Sequence, residues 1–417
     1  MPNYPRVLVI SPVKFNQQSG SGITMGNLFK GWPIDALAQI HSEDKTTPDI
    51  TVCKNYYHLP YLNVRQKNIW KMSKLIAHQS LKYGVGKQET FLGHWAHMDQ
   101  IERWCEDFKP DVIFARPLDR PSFSIWLPLR LSRVLKVPLV TYVLDDWPMR
   151  HEYDPVALRK EFWKISLGKQ LRVLFQSAAI NIGISSEMCE IFEQRYKSPF
   201  VVFHNCVDLS DWENVPKNYS AGDIFTILYL GTVSKDKELY SLIDIRDAVI
   251  SLHQKGFPVR LVIYGPDLYR QTVADYLEYP PVVIHGGFFP PEQKQKILTQ
   301  ADLLLLPINF DPKSQAYIGY SFQTKVPEYM ASGTPTLVYG PPSNPNVSYA
   351  KREGWAAVVD QPDKHLLIKM LVQLISDQDL RTGLGIQARR LAFKHHDATI
   401  IRQLFRDLLW RISQGQN

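Results

Sequence analysis

Short runs of apolar, largely β-branched residues recur along the chain with helical segments between them. They are "RVLVISP", "DVIFARP", "PLVTYVLDD", "AINIGIS" and "FVVFHN", then "FTILYLGTV", "VRLVIYGP", "VVIHGG", "DLLLLPI", "TLVYG" and "AAVVD". Several are apolar almost throughout, the pattern of strands buried on both faces, and their alternation with helices predicts parallel sheets covered by helices. The series pauses at "NCVDLSDWENVPKNYSAGD", residues 205–223, a polar and turn-rich segment read as the linker between two domains, 1–212 and 213–417. Each half is then expected to be an α/β, Rossmann-like doubly wound unit, the two facing across a cleft, with ligands outside the carboxyl ends of the strands. The last segment, "ATIIRQLFRDLLWRI" within residues 398–413, has apolar positions at helical spacing and is expected to pack back across one of the domains.

Composition narrows the class. A chain of 417 residues suits two domains better than one core. No run approaches the ~20 apolar residues that span a bilayer. The segment "MPNYPRVLVISPV" enters a strand pattern without an apolar signal stretch, which gives the expectation of a cytoplasmic protein. Cys53, Cys105, Cys189 and Cys206 are far apart and form no CxxC pair, so neither a zinc site nor a disulfide framework is expected.

The net charge of +7 permits attraction to nucleic acid, an anionic membrane or phosphorylated ligands. No basic-aromatic nucleic-acid module is recognisable, so nucleic acid is not an expected partner. The excess is partly local: residues 64–87 carry Arg65, Lys67, Lys71, Lys74, Lys82 and Lys87 and no acid, interleaved with Trp70, Met72, Leu75, Ile76 and Leu81. That mixture suits a basic amphipathic helix on the inner face of the cytoplasmic membrane, and equally a helix with its apolar stripe in the core.

Four stretches carry candidate chemistry. In "NQQSGSGITMGNLFKGW", Gly20, Gly22 and Gly26 surround the start of a helix, where glycine lets backbone approach a phosphate, or simply makes a tight turn. "VLDDWP" puts Asp145 and Asp146 at the carboxyl end of a strand, placed to accept a proton or hold sugar hydroxyls, or to cap the next helix. "LYLGTVSKDKELYSLIDI" is a strand, a glycine turn at Gly231 and Thr232, and Lys235 and Lys237 before a helix, positions from which lysines can neutralise a diphosphate. "TKVPEYMASGTPT" predicts a short helix over 327–332, opened by Pro327 and closed by Gly333, with Lys325 and Glu328 at its mouth. His285 follows a strand and either lines a nucleotide pocket or is a satisfied core histidine. The pairs His94 with His97 and His395 with His396 lack the carboxylate or cysteine partners of a metal site and read as structural or solvated. No metal site is expected.

Together these stretches resemble a GT-B fold glycosyltransferase, similar to glycosyltransferase family 4, across nearly the whole chain. "PEYMASGTPTLV" resembles that family's EAMAxGxPVV segment, "ISSEMCEIFEQRYKSPFVVFHNCVD" its serine-glutamate segment ending in NGVD, and "YLGTVSKDKELYSLI" its glycine-to-lysine segment. The resemblance implies a retaining enzyme of hexosyltransferase type. Its donor is a nucleotide-diphosphate sugar, held mainly by the C-terminal domain, and its acceptor a sugar or lipid-linked sugar on the N-terminal domain. The departures from it resemble a divergent branch that builds bacterial surface polysaccharide or glycolipid; with no DxD-type site evident and lysines placed to neutralise the diphosphate, no metal or other cofactor is expected. The resemblance assigns ribose binding to Glu328, the family lysine to Lys237 and the phosphate-contacting glycine to Gly22; the further residues expected at the donor are Gly231, Thr232, Lys235, His285, Tyr320, Ser321 and Lys325. Asp145 and Asp146 take the catalytic positions, Asp145 standing where the family often has histidine. Other departures are Thr232 in place of an arginine, Tyr320 in place of the first glutamate of a pair, and Cys206 in place of a glycine. The alternatives left open are a nucleotide-sugar epimerase or hydrolase on the same fold, and a nucleotide-sugar-binding protein without catalysis.

Overall fold

The structure is a computed structural model and describes residues 4–59, 98–118, 123–153, 157–288 and 291–416. The chain divides into two compact units, residues 1–204 with 400–417, and residues 205–399. The division thus falls at Asn205, eight residues before the boundary expected at 212, and the expected linker residues 205–223 belong to the second unit. The cause is local. Val207 forms a parallel bridge with Asp397, and Val207, Leu209 and Trp212 are buried in the second unit's core. His396 is 1% exposed, donates from Nδ1 to the Asn205 carbonyl at 3.1 Å, and stacks on Phe322.

The first unit is a seven-stranded parallel sheet of β1 (Val7–Ile10), β2 (Leu37–His41), β3 (Asn55–His58), β4 (Val112–Ala115), β5 (Leu139–Val143), β6 (Ile180–Gly183) and β7 (Phe200–Val202). Its order is β3-β2-β1-β4-β5-β6-β7. Strands β1, β2, β4 and β5 are buried at every residue, as apolar runs covered on both faces must be. The helix Ala398–Ser413 closes this unit: Phe405 meets Phe29, Phe114 and Phe203 edge-on at centroid distances of 5.1, 5.7 and 5.6 Å, and Arg402 donates to the Asn27 carbonyl.

The second unit is a six-stranded parallel sheet of β8 (Phe225–Leu230), β9 (Val259–Tyr264), β10 (Val283–Gly287), β11 (Leu303–Pro307), β12 (Thr336–Tyr339) and β13 (Ala357–Val359). Its order is β10-β9-β8-β11-β12-β13, with one core on each face of the sheet. All four cysteines are free and buried. No helix among the described residues is long and apolar enough to cross a membrane. The basic stretch 64–87, His94 and His97 lie outside the described residues.

Candidate functional site

In the second sheet the strand order turns between β8 and β11, so the loops that leave their carboxyl ends run in opposite directions and leave a gap. Gly231 sits at that point with φ +149°, a backbone region that disfavours side chains. The space around it is also full: a Cβ there would stand 2.6 Å from Lys325 Nζ and 3.1 Å from the Tyr229 hydroxyl. Behind it, a Cβ on Gly265 would lie 2.4 Å from the Gly231 carbonyl oxygen. The rim is therefore bare backbone. The Gly231 amide donates to Tyr264 at 2.9 Å, and the Gly265 amide to Gly287 at 3.2 Å.

Lys325 reaches this rim from the helix Val326–Ser332, of which it is the N-cap. Its ammonium lies over the Tyr229 ring, 4.2 Å from the centroid. Beneath is Glu238, 6% exposed, which accepts from the Thr232 hydroxyl at 2.7 Å. The Tyr229 hydroxyl donates to the Thr232 carbonyl at 2.6 Å and stands 3.3 Å from Glu238. Burial pushes the Glu238 carboxyl up, while Lys325, Lys237 and the two hydroxyls pull it down. Burial lowers Lys325 to about 8, opposed by Glu238 and reinforced by Lys237. Lys237 leans over Tyr317, 5.0 Å from the ring centroid. Two ammonium groups thus act electrostatically on one buried carboxylate at the end of β8, without an ion pair to it among the described residues.

The frame holding these groups is a set of buried amides. Asn309, 0% exposed and just past β11, accepts from the Tyr240 and Ser241 amides at 3.0 and 3.2 Å, and donates to the Lys235 carbonyl at 2.9 Å and Ser314 at 3.1 Å. It therefore caps the helix Leu239–Gln254 from another element, because that helix's own N-cap, Glu238, makes no side-chain cap bond. We expect Asn309→Ala to lower stability by about 1 to 2 kcal/mol, read by urea unfolding, with a larger proportional loss of ligand affinity than a surface substitution gives. On the other side, Asn344 and Asn346 hold the loop into Lys325, donating to the Ile318 and Ser321 carbonyls at 3.0 Å each. The Tyr329 hydroxyl accepts from the Leu230 amide at 3.2 Å and fixes the short helix to β8.

The expected donor residues of this unit fall as follows. Gly231, Thr232, Lys237 and Lys325 converge at the end of β8. Glu328 lies in the first turn of Val326–Ser332, as expected, and its carboxylate meets Lys294 at 2.8 Å, each side chain about a quarter exposed. Lys235 is turned to Tyr276, donating to its hydroxyl at 3.0 Å. Ser321 is buried and Tyr320 half-buried in the loop before Lys325. His285 lies in edge strand β10, its Nε2 enclosed with no hydrogen-bond partner among the described residues. Sequence reasoning did not single out Glu238, Tyr229, Asn309 or Lys294.

In the first unit, Gly22 lies in the first turn of the helix Gly20–Phe29, its amide donating to the N-cap Ser19 hydroxyl at 3.2 Å. A Cβ there would stand 2.3 Å from the Asn16 amide nitrogen, so a side chain at this position would have to displace the buried Asn16 amide. Asp146 is 0% exposed, and both its oxygens accept from Arg195, at 2.7 and 2.8 Å. This leaves Asp145, half-buried, as the member of the pair with open surface. His396 and His395 flank the Tyr349 hydroxyl at 3.2 Å each, a structural cluster in the second unit. Among the described residues no group of three or more His, Cys, Asp or Glu side chains is placed to hold a metal ion.

Residues 224–377, all in the second unit, match the family described as glycosyl transferases group 1. No curated protein matches the chain by sequence. Among solved structures, HepE of Anabaena in complex with UDP and glucose is 13% identical with a TM-score of 0.66, covering 97% of this chain and 99% of its own. Sucrose-phosphate synthase from Thermosynechococcus elongatus is 13% identical with a TM-score of 0.69, over 98% and 99%. A glycosyltransferase from Rickettsia africae is 12% identical with a TM-score of 0.64, over 99% and 100%. At such identities the likeness is one of fold, and the two doubly wound parallel sheets are those of the GT-B class.

Proposed function

We propose that this chain, a GT-B fold glycosyltransferase by its group 1 match and its architecture, binds the diphosphate of a nucleotide-sugar donor at Gly231, Lys237 and Lys325. The observation that carries the reading is the bare backbone rim at Gly231 with an ammonium 2.6 Å from where its Cβ would be. A strand-end backbone that leaves no room for a side chain, beside two lysines, suits a ligand with concentrated negative charge. As the bond from sugar to diphosphate breaks, charge grows on the leaving phosphate oxygen. Cations fixed there stabilise the transition state more than the bound donor. The lysines supply that charge, so no step is routed through a metal ion.

Glu328, steadied by Lys294, is assigned to the ribose hydroxyls of the donor. In the first unit Asp145 is assigned to a sugar hydroxyl, and Asp146 to holding its turn through Arg195. The finer assignments are transfer with retention, a sugar or lipid-linked acceptor, and a place in bacterial surface polysaccharide or glycolipid synthesis. Those assignments rest on the family resemblance of "PEYMASGTPTLV" and the segments around it.

The test is a thermal-shift panel of nucleoside diphosphates, with UDP, the nucleotide in the HepE complex, first. A bound nucleotide at ~100 times its Kd stabilises by about 2.7 kcal/mol. Absence of any shift across the panel would remove the donor-site reading. Within it, Glu328→Ala is expected to weaken the responding nucleotide by about 1.5 kcal/mol, roughly tenfold, with the unfolding transition unchanged. Equal calorimetric affinity for parent and variant would take the ribose away from Glu328.

A further inference from the structure

Glu238 stands in the cluster at the end of β8, yet its carboxylate is buried and turned to the hydroxyls of Thr232 and Tyr229. It is 6% exposed, receives the Thr232 hydroxyl at 2.7 Å, and lies 3.3 Å from the hydroxyl of the tyrosine whose ring carries Lys325. An acid so enclosed binds no nucleotide phosphate and, as the helix N-cap, makes no capping bond. Burial of a carboxylate is costly, so its presence asks for a return from its neighbours. The groups that act electrostatically on Lys325 are Glu238 and Lys237, at the entrance to the helix Leu239–Gln254. Tyr229 from β8 presents its ring. Glu328, one turn further along Lys325's own helix, is engaged by Lys294. Glu238 is thus the one acid acting on Lys325 that no other lysine or arginine bridges among the described ion pairs.

We propose that Glu238 is a positioning residue that keeps the Lys325 ammonium charged and aimed across Gly231, and thereby sets the affinity of this site for diphosphate. The inference rests on the donor-site reading above, and it deepens it. Thr232 belongs to the same device: a hydroxyl where the resembling family places an arginine donates to Glu238, so the cation at this strand end comes from Lys325 instead. Without Glu238, burial and the repulsion of Lys237 act on Lys325 unopposed and it gives up its proton more readily. The consequence is a site whose grip on diphosphate fades as pH rises through about 8, where Lys325 loses its charge.

The experiment uses the full chain in three forms, parent, Glu238→Gln and Glu238→Asp. The side-chain signal of Lys325 is followed by NMR of lysine-labelled protein and identified by its loss in Lys325→Arg. UDP affinity is measured by calorimetry from pH 6.5 to 9.5, about the window a lysine lowered to about 8 spans. In Glu238→Gln the Lys325 midpoint is expected to fall by about one to two pH units, the order of effect of removing a unit charge that acts on it in a buried site. UDP affinity at pH 8 should fall about tenfold or more while the low-pH affinity is retained. Glu238→Asp, which keeps the charge, should return most of both. Should Glu238→Gln fail to fold, Thr232→Val removes the hydroxyl bond without changing charge and should shift the midpoint in the same direction by less. An unmoved Lys325 midpoint overturns the proposal, and so does a moved midpoint with an unchanged pH profile of UDP binding. A parent protein that shows the Lys325 shift but binds no nucleotide in the panel removes the donor-site reading while the coupling of Glu238 to Lys325 stands.

Discussion

Replacing Lys237 and Lys325 together with alanine is expected to weaken nucleoside diphosphate binding by about 3 kcal/mol or more, over a hundredfold, because each removes one charge-assisted contact worth about 1.5 to 3 kcal/mol. Both cations lie at the bare end of β8, one over Tyr229 and one over Tyr317, close enough to the same acid that each lowers its proton affinity. The aromatic platforms matter to the size of the effect, since they fix two flexible side chains before the ligand arrives and reduce the entropy lost on binding. Lys235→Ala provides the internal comparison. Its ammonium is engaged with the Tyr276 hydroxyl at 3.0 Å on the solvent side, so its removal should change affinity by less than about twofold. Calorimetry on all three variants at pH 7 decides the matter. Losses of equal size for Lys235→Ala and the double variant would mean that surface charge alone, and not the geometry at Gly231, draws the ligand.

This contrast between two lysines spaced i and i+2 shows where sequence stops being informative. The strand, the glycine and the basic turn in "LYLGTVSKDKELYSLIDI" are legible, because strand period, turn chemistry and a positive-φ glycine leave local marks. Which lysine enters the site depends on Tyr276 and Tyr317, residues 41 and 80 positions downstream of Lys235 and Lys237. Glu238 reads locally as one more acid on a solvated helix start. Its burial is set by Tyr229 and Thr232 across the turn and by the helix that brings Lys325 back to β8. Asn309 escaped notice for the same reason, being a cap supplied from one element to another.

In the first unit the apolar strands were legible and β2, "LAQIH", was not. A glutamine in its centre breaks the apolar run. Gln39 is nonetheless 0% exposed, because its amide accepts from Phe15 at 2.9 Å and donates to Val13 at 3.1 Å, which satisfies it inside the sheet. Strand β3, "NYYH", is short and half-exposed at the sheet edge, with no apolar pattern to read. The closing helix could be recognised by period, but its partners Phe29 and Phe114 are hundreds of residues away in the chain. The recurrent limit is thus one of range: local geometry is written locally, and the pairing of charges is not.

Arg195→Met is expected to destabilise the first unit by about 3 kcal/mol or more at neutral pH, because it leaves the buried Asp146 carboxylate without its counter-charge. In the parent both Asp146 oxygens are bonded to Arg195, whose guanidinium also packs on the Phe192 ring, 5.1 Å from its centroid. Burial pushes the Asp146 carboxyl above its ordinary range and Asp145 adds to that, while the hydrogen bonds and charge of Arg195 oppose both. With Arg195 gone, only the raising influences remain. An acid whose folded pKa is raised loses folded-state stability as pH climbs above its unfolded value, so the deficit of Arg195→Met should be full at pH 7 and shrink as pH falls toward about 4. Asp146→Asn should behave differently. It removes the buried charge and keeps hydrogen-bonding atoms, so its cost should be smaller and nearly independent of pH over the same range. Urea unfolding followed by fluorescence, with Trp147 adjacent to the pair and 4% exposed, gives the readout at several pH values. A deficit for Arg195→Met that stays constant from pH 7 to pH 4 would mean that lost packing on Phe192, and not the stranded carboxylate, carries the effect.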